Sequence, residues 1–483
     1  MLRFRRLKGA GPLPRANRTA ARIALYSSFA VTSIVAVASI RGLGALDLGT
    51  VDLGWEPMPF REIEEVVLLQ DYVRVDTTPQ TGSELAGAQF LASILEREGI
   101  RHEVIDMGGR KANLIAVVEG DDPAALILHN HIDVDPVPDP GAWTYPPFSG
   151  HIRPPWIYGR GAFDMKSIAI AQLHALIELK RSGVRPRRTV IFLATSGEET
   201  GSLEGTAWLL RERADLLAGS WGAITEGGVV EARSTDDIKY WGTENGQKWY
   251  VQLLACSPSS EPLQTLLADL RARGQLLDEL RLTPAVEEFL RSYAPSRDLP
   301  RHRALLGDPA ATLRDLESFR HLAGYQQGLF RDEISSFPVE PAPTGGYLLR
   351  LSLGLLPDSD AELAIGRLLP PWLTQGVRLV RIPDEGPSPP SPTDHPIFRG
   401  ITAALEARYG ALRSGPYYQS RSANDSRLFR LHGIPSYGFS PFLVLSTDTI
   451  GIGGVDEGIA LPAYLAGVEL YADLLGRLVG PPT

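Results

Sequence analysis

Cysteine is almost missing from this chain: Cys256 is the only one in 483 residues. A single thiol excludes an internal disulfide and a thiolate-rich zinc site, so any metal must be held by histidine, aspartate and glutamate. Excess positive charge is missing too. With 48 Lys and Arg against 57 Asp and Glu, a formal net charge of −9, and basic residues scattered after the N-terminus, there is no electrostatic footprint for nucleic acid. No internal repeat is visible. What the chain does have is length: 483 residues with 43% hydrophobic content exceed one small core, so two or more folded units are expected.

The N-terminus differs in kind from the rest. Arg3, Arg5, Arg6, Lys8, Arg15, Arg18 and Arg22 precede an uncharged run from Ile23 to Ile40, long enough to cross a bilayer as one helix. The positive-inside rule keeps the basic cluster cytoplasmic and sends the remainder across. Residues 1–44 are therefore expected to be a basic N-terminus and single-pass membrane anchor, with the catalytic body on the extracytoplasmic side. The rival reading is a cleaved signal peptide, for which "AVA" at Ala36 to Ala38 supplies a small-residue cleavage pattern.

Beyond the anchor, "NLIAVVEG", "AALILHNHIDV", "RTVIFLAT" and "WGAIT" are short runs rich in Val, Ile and Leu. They alternate with helical patterns such as "DMKSIAIAQLHALIELKRSG". This texture predicts an α/β fold with a mostly parallel sheet and helices on both faces. From about residue 243 it changes. "KWYVQLLA", a helical "LQTLLADLRARG", "YLLRLSLGLLP" and "VRLVRIP" predict a smaller α+β unit inserted in the chain, and "PDEGPSPPSPTDHP" reads as its exit linker. The expected division is a catalytic domain over 58–242 and 395–483, with the insert, a lid, over 243–384.

The chemistry-bearing residues sit where the apolar runs end. Residues two apart on a strand share a face, so His129, His131 and Asp133 are expected to point the same way. His131 could then ligate a metal while Asp133 orients its imidazole. "YGRGAFDMKS" places Asp164 where a glycine-bearing loop turns into a helix, a position an ordinary N-cap also takes. "TSGEETGS" sets Glu198 beside Glu199 just after an apolar strand, where like charges are costly unless a cation or a shared proton relieves them. "ITEGG" ends another strand with Glu226. Four such sites at the C-terminal ends of strands converge where open α/β sheets place their ligands.

The order HxD, then Trp143 with "PPF" and "GRGAFDMKS", then GEE, then EGG resembles the M20 family of zinc peptidases. It is most similar to the membrane-anchored carboxypeptidase S and N-acyl-amino-acid hydrolase branch, over roughly residues 58–483. The resemblance implies a catalytic domain holding two zinc ions and a lid that mediates dimerisation, here a homodimer. Asp164 resembles the carboxylate bridging both metals, His131 and Glu226 the other ligands of one site, Glu199 a ligand of the second, and Glu198 the general base. A carboxylate in that place can take the proton of a zinc-activated water as it attacks an amide carbonyl. In "RSANDSRLFR", Arg427 resembles a reader of the substrate carboxylate, while Asn424 or Asp425 could instead cap a surface helix. The implied substrate is a small peptide or N-acyl amino acid.

Three departures stand out. The family's last histidine ligand aligns with Gly453 in "IGIGGVDEGI", although Asp456 and Glu457 keep the rest of that motif. The second site is left with Asp164 and Glu199, too few for three protein ligands plus water. One tightly held zinc and a weak second site are therefore expected, unless Asp448, His129 or another group completes it. In the lid, Pro258 of "SPSSEP" stands where the family carries a histidine, and Pro338 of "PVEP" where it carries an asparagine. Proline offers no donor. Two readings stay open: a hydrolase, favoured by the intact Glu198, and a membrane-tethered pseudoenzyme, favoured by Gly453 and Pro258.

Overall fold

The computed structural model describes residues 60–480 except 344, 411 and 446–450. The expected anchor at 1–44 and Asp448 lie outside the described residues. Among the described residues, no helix is long and apolar enough to cross a membrane. The strands that matter here are β1 Arg101–Gly108, β2 Lys111–Val118, β3 Asp122–His131, β4 Arg188–Thr195, β5 Gly222–Thr225, β6 Val229–Ser234, β7 Asp237–Gln247, β8 Trp249–Ser257, β9 Glu333–Pro341, β10 Tyr347–Leu355, β11 Arg378–Arg381, β12 Ser414–Gln419 and β13 Ser436–Gly438.

Nine of them form one sheet in the order β1-β2-β4-β3-β5-β13-β7-β12, with β6 beside β7. Its centre is parallel: β4 with β3, β3 with β5, and β5 with β13. The antiparallel pairs lie toward the margins. The unbroken apolar runs arise because both faces are covered. Leu126, Leu128, Val190, Phe192 and Ala194 face the helices Glu64–Val73, Glu84–Arg97, Lys166–Arg181, Pro396–Tyr409 and Leu461–Val479. Ile127, Ile191 and Leu193 face the opposite layer, which holds Leu209, Leu210, Leu428 and Phe429. The α/β expectation with helices on both faces is met.

The register aligns the ends of the three central strands. His131, the last residue of β3, pairs with Thr195, the last of β4, and Leu128 pairs with Ile224 near the end of β5. Segments leaving these strands emerge side by side at one edge. Asp164 reaches that edge from the loop preceding the helix Lys166–Arg181.

The smaller unit is a four-stranded antiparallel sheet, ordered β9-β10-β8-β11. The helices Ser260–Arg273 and Ala361–Leu368 cover one face of it, burying Val251, Leu253, Leu351 and Leu353. Pro258 follows the last residue of β8 and is exposed; Pro338 is exposed in the bulge of β9 between Ser336 and Val339. At both places a missing N–H costs no ladder bond. The helices between 284 and 330 pack on the large sheet instead, where Phe289, Tyr293 and Phe330 cluster with Tyr240 of β7 and Tyr418 of β12.

A buried ion pair ties β7 to the helix Ser426–Leu431: Arg430 Nη1 donates to Glu244 Oε1 at 3.0 Å, both side chains being almost wholly buried. Breaking such a pair strands a charge, whereas removing both partners does not. Arg430→Met is expected to cost about 3–5 kcal/mol in denaturant unfolding. Adding Glu244→Leu is expected to restore most of that; equal losses in both variants would show the pair to be uncoupled.

Candidate metal centre

His131 is 1% exposed. Its Nδ1 lies 2.8 Å from the carbonyl oxygen of Asp133, an acceptor only, so Nδ1 carries a proton and donates. In the neutral ring Nε2 then presents a lone pair. It points at two carboxylates, with Asp164 Oδ1 at 3.3 Å and Glu226 Oε1 at 3.6 Å. Nε2 and Asp164 Oδ1 are both buried without a hydrogen-bond partner. One nitrogen lone pair facing two carboxylates repels them unless something positive sits between. Imidazole plus two carboxylates is a normal zinc donor set, and the three ligand atoms lie within 4.8 Å of one another. These residues fit a divalent ion.

His131 also gathers with Glu198 and Glu199 within the same spacing. Asp133 meets both His131 and the two glutamates. The strand stops at His131, so the pleat no longer aims Asp133. Its carboxylate, 3.6 Å from Nδ1, instead accepts from the backbone N–H groups of Glu198 and Glu199, each at 3.0 Å. Asp133 thus aims the imidazole through its main chain and fixes the two glutamates with its side chain. Gly197, at φ +72°, makes the turn that brings them in.

The electrostatics match a site built for cations. Burial, then the nearby Asp164 charge, pushes Glu226 up to about 7 and Glu199 up to about 10. Burial pushes Glu198 far above the carboxylate range, with Glu226, Asp425 and Glu199 adding to it. Burial alone would lower His131, but Glu226 and the Asp133 and Asp164 carboxylates hold it well above its ordinary value. Protons here do what a bound cation would do.

Supporting contacts lie far apart in sequence. Glu457 Oε1 accepts from the backbone N–H groups of Phe163 and Asp164 at 2.9 and 3.1 Å, and Arg160 Nη1 donates to Glu457 Oε2 at 2.6 Å. Asp164 is accordingly no N-cap: Met165 takes that place without a side-chain cap. His129 faces away from the ligands, with Nε2 at 3.0 Å from Thr195 Oγ1 and 2.9 Å from Thr206 Oγ1. Asp425 lies 3.4 Å from that nitrogen and accepts from Ser202 and Thr206. Asn424 donates to the Glu226 carbonyl at 3.2 Å. The segment "RSANDSRLFR" therefore meets the site through Asn424 and Asp425. Arg427 is half-buried on the helix that follows, its side chain making no hydrogen bond or ion pair with another described residue. The expectations did not assign Asp425, Glu457 or Arg160 to the site; the retained Asp456–Glu457 pair was the available signal for Glu457.

Residues 127–477 match the sequence profile of Peptidase family M20/M25/M40. A probable succinyl-diaminopimelate desuccinylase of Staphylococcus aureus (strain MRSA252) is 35% identical over 140 residues, covering 29% of this chain and 34% of that protein. The match thus spans about a third of the relative's length. Among solved structures, an M20 family metallo-carboxypeptidase from Sulfolobus solfataricus superposes with a TM-score of 0.65 at 19% identity, covering 86% of this chain and 98% of that one. Human carnosine dipeptidase 1 gives 0.62 at 16%, covering 86% and 96%. At these identities the superpositions show a shared fold.

Burial would raise the Asp425 carboxylate, but hydrogen bonding and charge from His129, then Ser202 and Thr206, pull it down to about 2. A depressed carboxylate stabilises the fold above its unfolded value, roughly 3.9, and the contribution is lost as pH falls through the folded value. Asp425→Asn is expected to have a lower urea midpoint than wild type at pH 7, with the gap closing between about pH 4 and 2. A gap independent of pH would contradict this assignment.

Proposed function

Because the chain belongs to Peptidase family M20/M25/M40, we propose that it hydrolyses an amide bond in a small peptide or N-acyl amino acid bearing a free carboxylate. The reaction depends on zinc held by His131, Asp164 and Glu226. The observation that carries this reading is the buried, unpartnered Nε2 of His131 facing two carboxylates, with Glu198 beside it. When bound, a zinc ion supplies Lewis acidity, polarising a carbonyl and lowering the pKa of a water toward about 7. Glu198 takes the proton released as water attacks and returns it to the departing amine. Its elevated proton affinity in a half-buried position suits it to both transfers. Asp133 keeps Glu198 in place through the backbone. Arg427 receives the substrate carboxylate. The same reading tethers the protein by residues 1–44 with its catalytic body outside the cytoplasm, and pairs two copies through the lid; the basic cluster before the apolar run supports the tether.

A second reading, binding without turnover, is favoured by Pro258, which stands exposed without a donor at the end of β8. Oxyanion-type donors are typically worth about 3 to 4 kcal/mol of barrier lowering. On a panel of dipeptides and N-acyl amino acids, Glu198→Gln is expected to lower kcat by about a hundredfold or more with metal content unchanged. His131→Ala is expected to empty the zinc position. Wild type and Glu198→Gln equally inert on the whole panel would favour binding without turnover.

A further inference from the structure

The parallel strands have a second edge. Arg188 opens β4 and Trp221 directly precedes β5, so both lie at the N-terminal ends of strands whose C-terminal ends carry the metal ligands. The eight residues of β4 span roughly 23 Å at about 3.3 Å per residue. At this far edge a cavity of about 240 Å³ is lined by Arg187, Arg188, Trp221 and Arg477, with Pro396, Gly400 and Leu478. None of these residues is acidic, in a chain whose formal net charge is −9. Two of the three guanidiniums are fixed by the protein. Arg187 donates from Nε to the carbonyl of Gly480 and from Nη2 to those of Arg477 and Leu478, both at 3.3 Å, which leaves Nη1 without a protein partner. Arg188 lies 4.4 Å from the centroid of the Trp221 ring, and its Nη1 meets the Ala124 carbonyl and Asp122 Oδ2, each at 2.8 Å. Its Nε and Nη2 stay unpaired. Arg477, exposed in the last turn of the helix Leu461–Val479, makes no side-chain hydrogen bond or ion pair with a described residue.

Closing the end of that helix occupies Arg187, and Asp122 answers Arg188. Arg477 gains a little from the helix C-terminus, yet it joins two other guanidiniums around one space, where like charges repel. With Asp122 set against Arg188, the charges of Arg187 and Arg477 remain uncompensated. A phosphate monoester carries about −1.5 to −2 at pH 7 and offers three oxygens to the planar N–H forks of arginine, whereas a carboxylate brings a single charge. We propose that this cavity is a binding site for a phosphate-bearing anion. Arg187 and Arg188 are already held, so binding orders little beyond Arg477. The volume falls under the roughly 300 to 1,000 Å³ of pockets for drug-sized ligands, and it suits a phosphate with a short carbon body against Pro396 and Leu478. The site stands apart from the metal centre and does not depend on how that centre acts.

The test titrates inorganic phosphate into the full-length chain by calorimetry at fixed ionic strength, with acetate as the monoanionic control. Wild type is expected to bind phosphate, and to bind acetate about tenfold more weakly or less. Arg477→Glu, at an exposed side chain without partners, is expected to weaken phosphate by about tenfold or more while keeping the urea midpoint of wild type, which reports an intact fold. His131→Ala is expected to bind phosphate as wild type does, because the cavity lies at the other edge of the sheet. Glycerol 3-phosphate and a short-chain phosphatidic acid then separate the two carriers of the group: tighter binding of the first marks a soluble ester, tighter binding of the second a lipid headgroup. Equal phosphate affinity in wild type and Arg477→Glu overturns the assignment, as does acetate bound as tightly as phosphate. Loss of phosphate binding in His131→Ala would move the anion to the metal centre and overturn it too, and so would the absence of any binding heat up to about 10 mM phosphate.

Discussion

The arrangement depends on one requirement: Nε2 of His131 and the carboxylates of Asp164 and Glu226 need a positive centre between them, a proton or a metal ion. A hydrogen bond from Nδ1 to the Asp133 carbonyl sets it up by fixing the tautomer. Each carboxylate comes from a different place: Glu226 from the end of β5, Asp164 from the loop before a helix, and Glu198 and Glu199 from the turn after β4. Only the parallel centre of the sheet, whose strands end within two residues of one another, brings these together. The backbone carrying these acids is fixed by Asp133 beneath the glutamate turn and by Glu457 behind Asp164, and Arg160 adds the one positive charge there.

Much of this was legible in the sequence because it is local. Buried parallel strands require apolar runs, and acids at the ends of such runs have few reasons to be there. The supporting contacts were not legible in the same way. Arg160 and Glu457 are separated by 297 positions and Thr206 and Asp425 by 219, and no local pattern marks such pairs. The second task of Asp133, holding the two glutamates, was hidden for a different reason: β3 ends two residues before it, so the pleat rule does not say where its carboxylate goes. The helices from 284 to 330 gave no sign of which sheet they serve, since their partners, Tyr240 and Tyr418, are single aromatics on distant strands.

Glycine at 453 reads differently once the fold is known. In the sequence it reads as the place of a missing ligand. In space it lies against Asp135, four residues after His131 on the same chain segment, with the backbone of both loops held by Arg160. Pro258 stands exposed just past the end of β8.

Anomalous diffraction at the zinc absorption edge, from crystals of the purified protein grown with zinc, tests the central claim most directly. The expected result is a peak bounded by His131 Nε2, Asp164 and Glu226, with Glu198 beside it and making no bond to it. Absence of a peak there, with His131 Nε2 hydrogen-bonded directly to Asp164 through a proton in a crystal saturated with zinc, would contradict it.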